Sequence, residues 1–172
     1  MLARCCFPAL LRRAPPAPPL LPPAHEWKTC GAERFGVRLH RTPCRVVKVY
    51  DGDSYTILWR GGDGRLVYAN SRLFGIDTPE LRGSDREKAV ACRDMARALL
   101  LGEVLCATTQ GATGLDKYGR PLVVLEALPG HTSARVSATL AAYASCVNRW
   151  MLAVGPGCRP LNASGGAAPS SG

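Results

Sequence analysis

From Cys44 onward the apolar and polar positions fall into short alternating runs set apart by Gly and Asp. Residues 45–50 (RVVKVY) and 54–60 (SYTILWR) are rich in β-branched and aromatic side chains, which suit a pleated, half-buried surface, so each is predicted to be a strand. DGD at 51–53 supplies the turn between them. GGDG at 61–64 is a second turn, and residues 65–76 (RLVYANSRLFGI) read as a third strand, giving a meander. Over residues 85–101 the period becomes helical: Ala89, Cys92, Ala96 and Leu99 return to one face, and Gly102 follows as a C-terminal stop. Ser84 is the expected N-cap, with Glu87 three residues on completing a capping box. Residues 103–109 and 121–128 read as two more strands joined by a loop over 110–119. Beyond Leu128, residues 131–154 are Ala-rich and helix-compatible, and Gly, Pro, Ser and Ala then dominate, so a disordered tail is expected over 156–172.

Five short strands with a helix between the third and fourth match the outline of an OB-type β-barrel, an α+β fold with helices packed on the barrel. A chain of 172 residues has room for one domain plus flanking segments, because compact domains cluster at roughly 100–150 residues. Pro and Ala are concentrated at the two ends, which divides the chain into an extension over 1–38, a domain over 39–155 and the tail. The formal charge of +9 divides unevenly as well: residues 1–44 carry seven Lys/Arg against two acids, 45–128 twelve against eleven, and 129–172 three against none. Because the excess sits mostly outside the core, net charge alone is no argument for a polyanion partner. Phosphate would have to be drawn by local placement of Arg and metal.

Eight cysteines are present, but no pair has CxxC spacing, so zinc and dithiol-redox motifs are not indicated and the thiols are expected to be free. Cys92 and Cys106 fall at apolar positions, where a thiol behaves as a small hydrophobe. No apolar run reaches the roughly 18 residues of a spanning helix, so no membrane span is expected. Residues 1–25 contain Arg4, Arg12 and Arg13 and no acid, the bias of a transit peptide. Arg12 and Arg13 interrupt the apolar run that a secretory signal needs, which favours mitochondrial import over secretion; an extension with no address stays open beside it.

Alone, Asp51-Gly52-Asp53 is a hairpin turn. The picture changes with Asp77-Thr78-Pro79-Glu80: Asp53 opens the second strand and Asp77 ends the third, so a meander can bring their carboxylates together. Two carboxylates and a backbone oxygen suit a hard cation such as calcium, and with no EF-hand spacing the site would be an open one completed by water and substrate. Arg72 shares a strand face with Leu66, Tyr68 and Phe74, expected to point inward, where an arginine is either a salt-bridged structural residue or an anion binder. Arg120 follows LDKYG and precedes a strand, at the end of an element where functional loops cluster, although taken alone it reads as a solvated surface charge.

These blocks carry a resemblance. The stretch from Leu39 to about Leu128 resembles the staphylococcal, thermonuclease-like nuclease family through VVKVYDGDSYTI, SRLFGIDTPELRG and LDKYGRPLVVL, in matching order and approximate spacing. The resemblance implies a calcium-dependent nuclease, monomeric, that cuts DNA and/or RNA to leave a 3′-phosphate with little sequence preference. It implies that Asp53, Asp77 and the carbonyl of Thr78 ligate calcium, with Asp51 in support. By the same resemblance Glu80 is the general base, Arg72 and Arg120 grip the phosphate, and Lys117 and Tyr118 lie near the bound nucleotide.

The sequence departs from the family twice. An insertion over about 129–146, including HTSARVSATLAAYAS, precedes VNRWMLAVG, which looks like the family's next helix. Val136, Leu140 and Tyr143 lie at three- and four-residue spacing there, so the insertion is either a substitute helix with an apolar stripe or a solvated loop. Beyond Gly155, where the family continues into tyrosine-bearing loops and a final helix, stands only GCRPLNASGGAAPSSG, so the C-terminal helix is expected to be missing. The competing reading is a catalytically weak or inactive OB-type module that binds nucleic acid. Retention of both acids, both arginines and Glu80 favours the enzyme.

Overall fold

The computed structural model describes residues 36–161, so the expected transit peptide and the tail beyond Leu161 lie outside the described residues. In chain order the elements are β1 (Thr42–Val49), β2 (Ser54–Arg60), β3 (Leu66–Leu73), β4 (Ile76–Asp77), α1 (Arg86–Leu100), β5 (Val104–Thr109), β6 (Leu122–Ala127), α2 (Ala134–Ala141), α3 (Val147–Val154) and β7 (Arg159–Pro160). The order β1-β2-β3-β6-β5 closes on itself as a barrel. Its β3–β6 pairing is parallel and the others are antiparallel, and α1, α2 and α3 pack around it. This is the α+β, OB-type barrel that the strand pattern predicts.

Period-two alternation fills the barrel: Tyr55, Ile57 and Trp59 of β2, Leu105 and Ala107 of β5, and Val123 and Leu125 of β6 all point inward. In β1 the alternation skips, because Cys44, Val46 and Val49 are all buried. A bulge explains the skip: Val46 pairs with Ile57 and Lys48 with Thr56, leaving Val47 unopposed and moving the inward face by one position.

The predicted third strand is interrupted after Leu73, where Phe74 and Gly75 turn the chain before β4; Gly75 has φ +78°, backbone that glycine adopts without strain. The inward reading of the Arg72 face is corrected here. Leu66, Tyr68 and Phe74 are exposed, and the barrel receives Ser71 and Leu73 instead. In α1, Ala89, Cys92, Ala96, Leu99 and Leu100 make the buried face, as the spacing predicts. The expected Ser84 cap is not formed: Asp85 occupies the N-cap position, and its side chain accepts no hydrogen bond from the helix backbone.

The insertion folds as a helix against the barrel. Ser133 caps α2 by accepting from Val136 N (3.4 Å) and ties it to the residue before β5 by donating to Glu103 Oε1 (2.8 Å). Val136 and Leu140 are fully buried and Tyr143 packs on the same core. In α3, Asn148 accepts from Leu125 N (3.1 Å) and donates to Phe74 O (2.9 Å) and Val123 O (3.2 Å), so one buried amide fastens helix, β6 and the end of β3 together. The tail expected from residue 156 is corrected in its first part: Arg159–Pro160 pairs antiparallel with Ile76–Asp77, and Leu161 N donates to Gly75 O (3.0 Å).

Candidate active site

Asp51 folds the loop that presents Asp53. Its Oδ1 accepts from Asp53 N (3.1 Å) and Ser54 N (2.7 Å), a turn in which an aspartate substitutes for a backbone acceptor. Asp53 is thereby turned inward and is 2% exposed. The β2–β3 register sets Ser54 opposite Arg72, and Leu73 N donates to Asp53 O (2.8 Å), which brings Arg72 to the Asp53 carboxylate. Arg72 Nη1 donates to Asp53 Oδ1 (3.1 Å), and Nη2 reaches Asp53 Oδ2 (3.1 Å) and Asp77 Oδ1 (3.2 Å). Ser54 Oγ donates to Asp53 Oδ1 (3.1 Å) and Thr78 N to Oδ2 (3.2 Å). Burial is the largest influence on this acid and pushes Asp53 up from 3.8 to about 6; Asp51 adds to the rise, while Arg72, Ser54 and Thr78 oppose it.

Arg120 is held differently. Asp116, four residues earlier in the same loop, accepts from Arg120 Nε (2.7 Å), Arg120 N (2.8 Å) and Tyr118 N (2.8 Å). Burial alone would raise Asp116, but those hydrogen bonds outweigh it and hold the acid below its ordinary value. The Arg120 guanidinium lies 5.5 Å from the Tyr118 ring centre and Lys117 Nζ 5.0 Å from it, so both cations stack on one exposed aromatic.

A cavity of about 310 Å³ collects Asp53, Arg72, Asp77, Thr78, Glu80 and Arg120 on its walls, with Asp51 beside them. Lys117 and Tyr118 are not among its lining residues. Glu80 is exposed, and among the described residues its side chain has no hydrogen-bond or ion-pair partner. Sequence reasoning missed Tyr50 and Arg82, which also line this cavity. It missed Asp116 as the holder of Arg120, although the DKYGR string places an acid four residues before the arginine. It missed Arg159 as well, whose Nε and Nη2 each lie 3.1 Å from Asp77 Oδ2 across 82 positions of sequence. A two-residue strand carries no periodicity that could have revealed it.

Among the described residues, no group of three or more His, Cys, Asp or Glu side chains gathers as a metal centre. What the site does offer is oxygen: two carboxylates that share one guanidinium, next to the main chain of Thr78. That donor set fits a hard cation keeping much of its water, and it lacks the thiolates and imidazoles a closed zinc site requires. The burial that raises Asp53 also means its anion gains from a positive partner. No family model matches the chain, and no curated protein matches it.

Proposed function

We propose that this protein is a calcium-dependent nuclease that hydrolyses phosphodiester bonds of DNA or RNA. The observation that carries the reading is Arg72, half-buried between Asp53 and Asp77 at a cavity that Glu80 and Arg120 also line. A phosphodiester is anionic, so attack by water is opposed until its non-bridging oxygens are neutralised. Two guanidiniums at one cavity suit that task, because each planar fork pairs with two oxygens at once. Arg72 stands where a cation is needed between two acids. Its fork becomes available to phosphate when those acids take another cation.

Calcium held by Asp53, Asp77 and the carbonyl of Thr78 would supply charge neutralisation and a polarised water. Glu80, without a hydrogen-bond or ion-pair partner among the described residues and placed just beyond Pro79, accepts the proton of the attacking water. Asp51 keeps the loop closed so that Asp53 points into the site. Lys117 and Tyr118 offer charge and a stacking face beside Arg120, where an adjoining nucleotide would lie. The resemblance of three sequence blocks to the thermonuclease-like family supports the same assignment.

One observation favours the second reading, a module that binds nucleic acid without cutting it. Asp53 and Asp77 are already paired, Asp53 with Arg72 and Asp77 with Arg72 and Arg159, so the acids are neutral as a group without a metal. Digestion of plasmid and of RNA, with calcium and with chelator, separates the two. The nuclease cuts with calcium only. Cleavage undiminished in excess chelator would remove the metal assignment, and binding without cleavage under both conditions would establish the module.

A further inference from the structure

Cys92 of α1 and Cys158 of the segment after α3 place their sulfurs 3.3 Å apart, although 66 positions separate them in sequence. A disulfide needs about 2.05 Å, so closure asks for an approach of about 1.3 Å. The pair stands against the acid-bearing loop. A methyl group placed at Gly52, between Asp51 and Asp53, would overlap the Cys92 sulfur, and one at Gly155 would overlap the Cys158 sulfur. Glycine at both positions leaves the space that the two sulfurs fill. The residue after Cys158 is Arg159, whose guanidinium lies on Asp77 Oδ2 while β7 pairs with β4.

We propose that Cys92 and Cys158 are an oxidative modification site, a dithiol that closes to a disulfide and locks Arg159 onto Asp77, so that the oxidised protein takes up its cation poorly. The proposal rests on the nuclease reading above and supplies its regulation. In the dithiol form Arg159 is held at Asp77 by a two-residue strand pairing and an ion pair that is 78% exposed on the arginine side, contacts weak enough for an arriving cation to displace its side chain. In the disulfide form the same arginine is tethered one residue from a covalent anchor, which raises its effective concentration at Asp77.

The chemistry needs a small disulfide oxidant such as oxidised glutathione. Cys158 is the more accessible of the two sulfurs, since Cys92 is fully buried. Its thiolate attacks the oxidant, forming a mixed disulfide and releasing one glutathione thiolate. Cys92 then attacks the Cys158 sulfur, closing the intramolecular bond and expelling the second. Two electrons leave the protein dithiol, and one glutathione disulfide becomes two thiols carrying the two hydrogens.

The test uses the full chain treated either with oxidised glutathione or with a reductant. Peptide mapping under alkylating conditions should find a Cys92–Cys158 cross-link in the oxidised sample alone. Calorimetric titration with calcium should then show affinity at least about tenfold weaker in that sample, the scale of effective-concentration effects from a short tether. Cys158→Ser should make affinity independent of oxidant. Arg159→Ala, at an exposed position, should still form the cross-link yet bind calcium equally well with oxidant and with reductant. Absence of the cross-link, or a cross-link that leaves calcium affinity unchanged, overturns the latch while an active enzyme retains the nuclease reading. A chain that binds no calcium and cuts nothing in either redox state loses both.

Discussion

The barrel's acid-lined cavity and its helix-covered flank use polar groups in opposite ways. On the flank, the amide of Asn148 meets three backbone partners from β6 and the turn after β3, and Val136 and Leu140 are fully buried. Every bond there fastens one element to another. At the cavity, charges are paired through half-exposed arginines, and Glu80 has no partner at all among the described residues. A fully satisfied polar group serves stability, whereas a carboxylate left open to solvent contributes nothing to folding and stays available for chemistry. The contrast separates residues whose loss should stop the reaction from residues whose loss should unfold the protein.

The sharpest way to break that separation is a pair of substitutions, one on each side. Glu80→Gln should lower the cleavage rate by at least about 10²-fold while leaving the Tm within about a degree, because the amide keeps the shape and loses the base. Leu140→Ala should do the reverse: deleting a fully buried side chain costs about 3 kcal/mol, a Tm lower by roughly 10 °C, with the rate of the folded fraction unchanged. Paired rate and melting measurements check both. A slow Leu140→Ala enzyme that is still folded, or a Glu80→Gln rate within a few-fold of the parent, would show that the two regions are not separate.

Much of this contrast was legible in the sequence, and the parts that were not have physical causes. Strands and α1 announce themselves because Tyr55, Ile57 and Trp59 alternate and Ala89, Cys92 and Ala96 recur at helical spacing. Asp53 and Asp77 were readable as neighbours because a meander joins the strand start and strand end that carry them. The inward face of β3 was not, since apolar residues lie on both faces: Leu66, Tyr68 and Phe74 on one, Val67, Ala69 and Leu73 on the other. Barrel closure through β6 decides between them, and that pairing is remote in sequence. The bulge at Val47 and the contact of Arg159 with Asp77 depend likewise on partners that no local window contains.

A smaller effect sharpens the electrostatic half of the comparison. In chelator, Asp53 keeps its proton in the folded protein up to about 6, against an ordinary value of 3.8. Between those values the folded state holds a proton that the unfolded state gives up, so this group makes stability fall as pH rises through the window and level off above it. Asp53→Asn should flatten that part of the curve, and Asp116, depressed in both proteins, cancels in the difference between them. Melting temperatures taken across pH 4 to pH 7 measure it. Parallel curves for the two proteins would show that Asp53 is not raised, and calcium should remove the decline in the parent alone.

The smallest effect concerns two neighbours on β3 that face opposite ways. Arg72 points out and finds two acids, whereas Ser71 points into the barrel, is fully buried, and has the one buried side-chain oxygen among the described residues that lacks a hydrogen-bond partner. A hydroxyl buried without a partner costs about 1–3 kcal/mol relative to water, and removing it leaves a gap of a single atom. Ser71→Ala should therefore stabilise the protein by about 1 kcal/mol, a Tm higher by roughly 3 °C, since alanine fills the same backbone position with nothing left to satisfy. The register that sets Arg72 opposite Ser54 is untouched by the change, so the cleavage rate should stay at that of the parent. A lower Tm would mean that the Ser71 hydroxyl does find a partner in solution, such as a buried water. It would then belong with Asn148 among the groups that fasten the barrel together.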